Sequence, residues 1–385
     1  MPAPTLSSKL PDVGTSIFAV MTQLAAEHGA INLAQGFPDF NPPAALTEAL
    51  QRHTLGAQHQ YAPMPGLPRL RELIAAKTAV VYGVPAPDPA TDVTVTTGAT
   101  EALYAVLAAV VQPGDEVVVL EPAYDLYGPA IRLQGGTPVY VPLTLPDFRP
   151  DWDRIKAAIT PSTRLVMVNT PHNPTGAVFS HADWQQLAEI LAPTQAFLLS
   201  DEVYEHMVFD ERPHRSALQY PELRERAFVL SSFGKTYHAT GWKVGYCVAP
   251  PALSAEVRRV HQFVTFSVST LSQLAIADVL GDEASYDYLP AFMQQKRDLF
   301  GELMRETRFE LLPSEGSYFQ LARYHRIAPT EDDVKFARRL TTEAGVAVVP
   351  VSAFYHNQTD HGLVRFCFAK QDSTLRAAAE RLRQL

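Results

Sequence analysis

Six short apolar runs, at residues 92–97, 116–120, 164–169, 196–200, 227–231 and 244–249, limit the possible folds of this chain more than any other feature. Most are continuous in Val and Leu and do not alternate with polar residues. Strands have that composition when both faces are covered, as in a parallel sheet between helices. Helical patterns fall between the runs, at 100–111 and 182–191 among others. Such alternation predicts a largely parallel α/β sheet with helices on both sides.

From residue 288 to 309 the pattern becomes one long helix through Phe292, Leu299, Leu303 and Met304. Shorter strands at 318–321 and 362–369 follow, with helices at 332–344 and 373–385. They predict a second, smaller α/β layer, bridged to the first by the long helix. A length of 385 residues suits two domains, and 46% hydrophobic residues suffice for substantial cores. No repeat period stands out, which excludes solenoids and propellers.

Charge and cysteine content narrow the function classes. With 32 Lys and Arg against 41 Asp and Glu, the net charge of −9 disfavours nucleic-acid and anionic-membrane binding. Charged residues make up only 19%, which points to surface covered between subunits. The two cysteines, Cys247 and Cys367, sit in apolar runs and read as buried thiols, too few for a disulfide framework. His53 and His59 are six apart, unlike metal-ligand spacing. The amino terminus has no basic start followed by an apolar stretch, and no apolar run reaches membrane-spanning length. The expected location is cytoplasmic.

Open α/β sheets place ligands at loops beyond the carboxyl ends of their strands. Five such loops carry polar residues: Gly98-Ala99-Thr100, Glu121 to Tyr124, Asn169 to Gly176, Asp201 to Tyr204, and Ser231 to Thr236, the last followed by Gly241 to Tyr246. Each has an ordinary explanation alone. Gly98 can serve a tight turn, Asn173-Pro174 can start a turn, Asp201 can cap a helix, and Lys235 can be a solvated amine. Tyr124 can be a core tyrosine. Near the end, Arg365 interrupts an apolar strand at 362–368, where an unpaired guanidinium is costly unless it faces a cleft or an ion-pair partner.

Taken together and in this order, the loops resemble those of fold-type I, pyridoxal-phosphate-dependent aminotransferases of class I/II. Within that group the chain resembles bacterial methionine aminotransferases and kynurenine/glutamine transaminases. The resemblance runs from about Ile31 to the carboxyl end. It implies a large domain at 41–281 with a mostly parallel seven-stranded sheet between helices, a smaller α/β domain from 15–40 and 282–385, and an amino-terminal arm at 1–14.

The resemblance also implies roles. Lys235 matches the lysine that holds the aldehyde of pyridoxal 5'-phosphate as a Schiff base and later moves the substrate's α-proton. Asp201 matches the carboxylate that keeps the ring nitrogen protonated. Asn173 and Tyr204 match the residues at the ring's phenolic oxygen, and Tyr124 the aromatic stacked on the ring. Gly98, Ala99, Thr100, Ser232 and Lys243 match the phosphate site, and Tyr61 the tyrosine that reaches the phosphate of a neighbouring subunit, which implies a homodimer. Arg365 matches the arginine that grips the substrate carboxylate, with Asn173 and the loop at Gly36 beside it.

The implied reaction is ping-pong transfer of an amino group to a 2-oxo acid. No arginine lies in the segment 260–269, where a dicarboxylate-specific enzyme would need a second cation. Ile17, Phe18, Phe37, Tyr61 and Phe266 form the expected entrance, suited to methionine, aromatic or related neutral amino acids. Arg258 and Arg259 read as a solvated helix face and His206 as a surface histidine. Ser16-Ile17-Phe18 replaces the tryptophan-containing turn of animal kynurenine transaminases, which disfavours kynurenine. Other readings are a carbon–sulfur β-lyase acting on cystathionine or cysteine conjugates with the same residues, and a non-catalytic pyridoxal-phosphate-binding regulator. About thirty residues precede the resemblance, and they carry no basic helix-turn-helix pattern. A nicotinamide dehydrogenase would need G-x-G-x-x-G after an early strand, which is absent.

Overall fold

The computed structural model describes residues 5–56 and 58–385. The first four residues of the expected amino-terminal arm lie outside them.

Seven strands build the main sheet: β1 (Val93–Thr96), β2 (Glu116–Glu121), β3 (Thr137–Pro142), β4 (Thr163–Asn169), β5 (Phe197–Asp201), β6 (Ala227–Ser232) and β7 (Gly245–Val248). Their order is β1-β7-β6-β5-β4-β2-β3. All neighbours are parallel except β7, which runs antiparallel to β1 and β6. The Val and Leu runs are buried along their length, and apolar cores cover both faces. β3 was not among the expected runs. Among the described residues it pairs only with β2, at the sheet edge, where its Pro138 and Pro142 are tolerated.

A second sheet combines Glu310–Leu311, Phe319–Arg323, Val349–Pro350 and Leu363–Cys367, all antiparallel. A parallel pair, Ile31–Asn32 with Val346–Ala347, ties the amino-terminal segment to this layer. The long helix spans Leu289–Met304 and packs Met293, Phe300 and Met304 into the second core. The helix after β1, Gly98–Val110, starts at a glycine with φ of 71°, where a side chain would be strained.

Two surface expectations are corrected. Arg258, on the helix Pro251–Val264, donates to the Thr94 hydroxyl and to the carbonyls of Ala90 and Val93, so it is half-buried and clamps the start of β1 instead of standing free in solvent. Arg259 does project outward, paired with Glu256. His206 is buried against the Tyr286 ring, and burial pushes its pKa down to about 3.

Candidate active site

The carboxyl ends of β1, β2, β4, β5 and β6 open into one cavity of about 350 Å³. Gly36, Gly98, Ala99, Thr100, Tyr124, Asn173, Asp201, Tyr204, Ser232, Lys235, Lys243 and Arg365, all expected from the sequence, line it. Tyr61 does not. It is 81% exposed, with its ring edge-on to that of Phe266 at 5.3 Å. Of the five residues expected at the entrance, Phe18 alone lines the cavity.

Lys235 follows β6 on the single turn Phe233–Thr236. Its Nζ donates to the Tyr318 hydroxyl at 2.8 Å and to the Gly36 carbonyl at 3.3 Å. Burial lowers its pKa to about 8, which makes the neutral, nucleophilic amine accessible near neutrality.

Asp201 ends β5. Its carboxylate accepts the Tyr127 hydroxyl at 2.7 Å and the Val203 amide at 3.3 Å. Burial raises its pKa to about 6 despite those two bonds, so a cation placed against it would be held strongly. Tyr127 was not singled out in the sequence; a tyrosine in an apolar helix turn, Tyr127–Leu133, carries no local signal of this contact.

The Gly98 helix start, Ser232 and Lys243 gather at one end of the cavity. Lys243 Nζ donates to the Thr100 hydroxyl at 3.3 Å. Gly245 lets β7 approach, since a Cβ there would lie 2.9 Å from the Ala99 nitrogen. A helix amino terminus with an adjacent ammonium is suited to a phosphate-like anion.

At the other end Arg365 is 1% exposed, in the strand Leu363–Cys367. It donates from Nη1 to Asn173 Oδ1 at 2.7 Å and from Nη2 to the Ala34 carbonyl at 2.9 Å, while its Nε has no partner. No carboxylate pairs with it among the described residues. The guanidinium lies 3.8 Å from the Phe319 ring centre and 5.1 Å from those of Phe18 and Phe354. Burial lowers its pKa to about 10, so it stays charged at neutral pH. A buried cation with an open donor is a receptor for a carboxylate. The cavity thus offers a reactive amine, a cation-accepting carboxylate, an anion cradle and a carboxylate clamp.

The sequence model for "Aminotransferase class I and II" matches residues 28–382. A methionine aminotransferase of Escherichia coli is 53% identical over 379 residues, covering 98% of each chain. The crystal structure of YbdL from Escherichia coli, whose reactivity identifies a methionine aminotransferase function, superposes with a TM-score of 0.97 at 53% identity and full coverage of both chains. That of an N-succinyldiaminopimelate aminotransferase from Mycobacterium tuberculosis superposes at 0.94, with 38% identity, over 99% of this chain and 100% of the other. With this cavity and these matches across nearly its whole length, the chain belongs to the class I and II aminotransferases.

Proposed function

We propose that this enzyme uses pyridoxal 5'-phosphate to move the amino group of methionine, or of a related neutral or aromatic amino acid, to a 2-oxo acid. The observation that carries the reading is the meeting of Lys235, Asp201 and a carboxylate-free Arg365 in one cavity. When bound, the cofactor supplies an aldehyde for amine exchange and an electron-withdrawing ring that accommodates the charge left by loss of the substrate's α-proton.

The donor set fits that group. Gly98, Ala99, Thr100, Ser232 and Lys243 would hold its phosphate, Asp201 its ring nitrogen as a cation, Asn173 and Tyr204 its phenolic oxygen, and Tyr124 its ring face. Lys235 would hold its aldehyde carbon and, once freed, carry a proton at Nζ. Arg365 and Asn173 would orient the substrate by its carboxylate, so that the α-carbon faces Lys235.

The aromatic walls at Phe18 and Phe319 and the 53% identity to a methionine aminotransferase support a neutral side chain. The exposed cluster of Tyr61, Phe263 and Phe266 supports a homodimer in which Tyr61 reaches the partner's phosphate site. A cytoplasmic location agrees with this role.

The test is an absorbance spectrum of protein with pyridoxal phosphate, before and after single amino acids are added without any oxo acid. Methionine should bleach the visible band and an oxo acid should restore it. A visible band that no amino acid bleaches would leave binding without transamination, and release of pyruvate and thiol from cystathionine would mark a lyase instead.

A further inference from the structure

Tyr318 stands just before the second-layer strand Phe319–Arg323 and is fully buried, yet its hydroxyl crosses the cleft to the Lys235 amine at 2.8 Å. The same hydroxyl donates its only proton to the Gly36 carbonyl. With that proton directed at Gly36, and the Tyr204 hydroxyl also bonded to the Tyr318 hydroxyl, the oxygen presents lone pairs to Lys235, and Tyr318 acts toward the amine as an acceptor. Lys235 also donates to the Gly36 carbonyl at 3.3 Å.

We propose that Tyr318 is a positioning residue for the reaction: its hydroxyl, fixed as an acceptor by Gly36, holds the freed Lys235 amine with its lone pair aimed into the cavity. The proposal rests on Lys235 being the reactive amine. A neutral amine has two N–H bonds and one lone pair. If Tyr318 and Gly36 take the two N–H bonds, the lone pair is left with the cavity side, where the substrate's α-carbon would stand. Gaining a proton fills that third direction and leaves both hydrogen bonds in place. The amine therefore exchanges its proton without turning, which favours transfer by keeping the base oriented.

A packing role is the competing account, since the Tyr318 ring sits edge-on to Tyr204 at 5.0 Å and to Phe319 at 4.8 Å. Tyr318→Phe keeps those ring contacts and removes only the hydroxyl. The first measurement is the midpoint of Lys235 reactivity toward a small amine-directed acylating reagent in cofactor-free protein, read by peptide mass spectrometry across pH. Loss of an acceptor from the ammonium should lower that midpoint by about one unit. Asp201, Arg365, Lys243 and Cys367, which also act on the amine, are unchanged by the substitution, and Tyr204, which also faces it, loses only its hydrogen bond to the Tyr318 hydroxyl.

The second measurement is steady-state kinetics. In Tyr318→Phe, kcat should fall on the order of tenfold while the amino-acid KM stays near its original value. An unchanged kcat, whatever the midpoint does, overturns the proposal. So does a fall in kcat with the midpoint fixed, or a loss shared by KM and melting temperature, which marks packing. Should Tyr318→Phe fold poorly, 3-fluorotyrosine at position 318 keeps the shape with a weaker acceptor and must shift the midpoint the same way. Lys235→Ala with near-normal turnover would sink the assignment of the lysine itself, whereas a silent Tyr318→Phe beside an inactive Lys235→Ala removes only Tyr318.

Discussion

Arg365 and Asn173, 192 residues apart, join the two layers through one 2.7 Å hydrogen bond from guanidinium to side-chain oxygen. The bond leaves the guanidinium half satisfied: Nε is buried without a partner, and no carboxylate neutralises it among the described residues. A substrate carboxylate completes what the fold leaves open.

Replacing this clamp should therefore act on substrate binding. Arg365→Lys keeps a charge but loses the planar fork, and Arg365→Ala loses both. We expect KM for the amino acid to rise and kcat to fall, with kcat/KM reduced by on the order of 3 kcal/mol in Arg365→Ala. The melting temperature should hold or rise, because the removed charge has no paired carboxylate to strand. A KM that stays constant in steady-state assays would remove Arg365 from the substrate site.

Gly36 controls the same end of the cavity indirectly. A Cβ at this position would sit 2.8 Å from Phe319 Cζ, and Phe319 is the ring stacked on Arg365 at 3.8 Å. Gly36→Ala should push that ring aside and weaken amino-acid binding, seen as a KM increase of roughly tenfold, with the affinity for pyridoxal phosphate unchanged. A cofactor affinity that falls in parallel would show that the damage spreads along the cavity.

The sequence exposed the buried strands because continuous Val and Leu runs have few other uses, and exposed the loop residues because polar groups after such strands must face a cleft. It hid what depends on partners distant in the chain. Tyr127 and Tyr318 are tyrosines in apolar surroundings, indistinguishable from core residues until Asp201 and Lys235 are seen beside them. Arg258 and His206 looked solvated because charge and polarity usually are; three acceptors on β1 and its approach hold one half-buried, and Tyr286 covers the other. Strand β3 escaped because its two prolines suggest a loop, and only its edge position permits them.

Asp201 gives a pH signature. Its folded pKa is raised, from 3.8 to about 6, so folding favours the protonated acid. The associated stability is complete below the unfolded value and is lost as pH rises through about 6. Cofactor-free protein should thus lose up to roughly 3 kcal/mol of stability between pH 4 and 6 from this group. Asp201→Asn should flatten that part of the profile in urea melts at stepped pH. A cation bound against the carboxylate reverses the preference, so saturation with pyridoxal phosphate should also flatten it. Identical profiles in all three samples would contradict the burial of an unmatched carboxylate here.

The last prediction concerns the frame behind the cavity. Glu205, next to Tyr204, is buried and accepts from Lys77 at 2.7 Å, from Tyr246 at 3.1 Å, and from the hydroxyls of Tyr82 and Ser231. Ser231 precedes Ser232, and Tyr246 follows Gly245, so one carboxylate fastens three segments that line or shape the cavity. Removing it leaves the Lys77 ammonium buried without a counter-charge. Glu205→Ala should cost about 3–5 kcal/mol in urea denaturation. Replacing both ions with apolar groups, Lys77→Met with Glu205→Leu, should recover much of that loss, because no uncompensated charge then remains. Cofactor affinity should recover less than stability, since the hydroxyls of Ser231 and Tyr246 still lack their shared acceptor and the β6 and β7 ends are no longer fastened together. Equal recovery of both in the double variant would show that the charge pair serves stability alone.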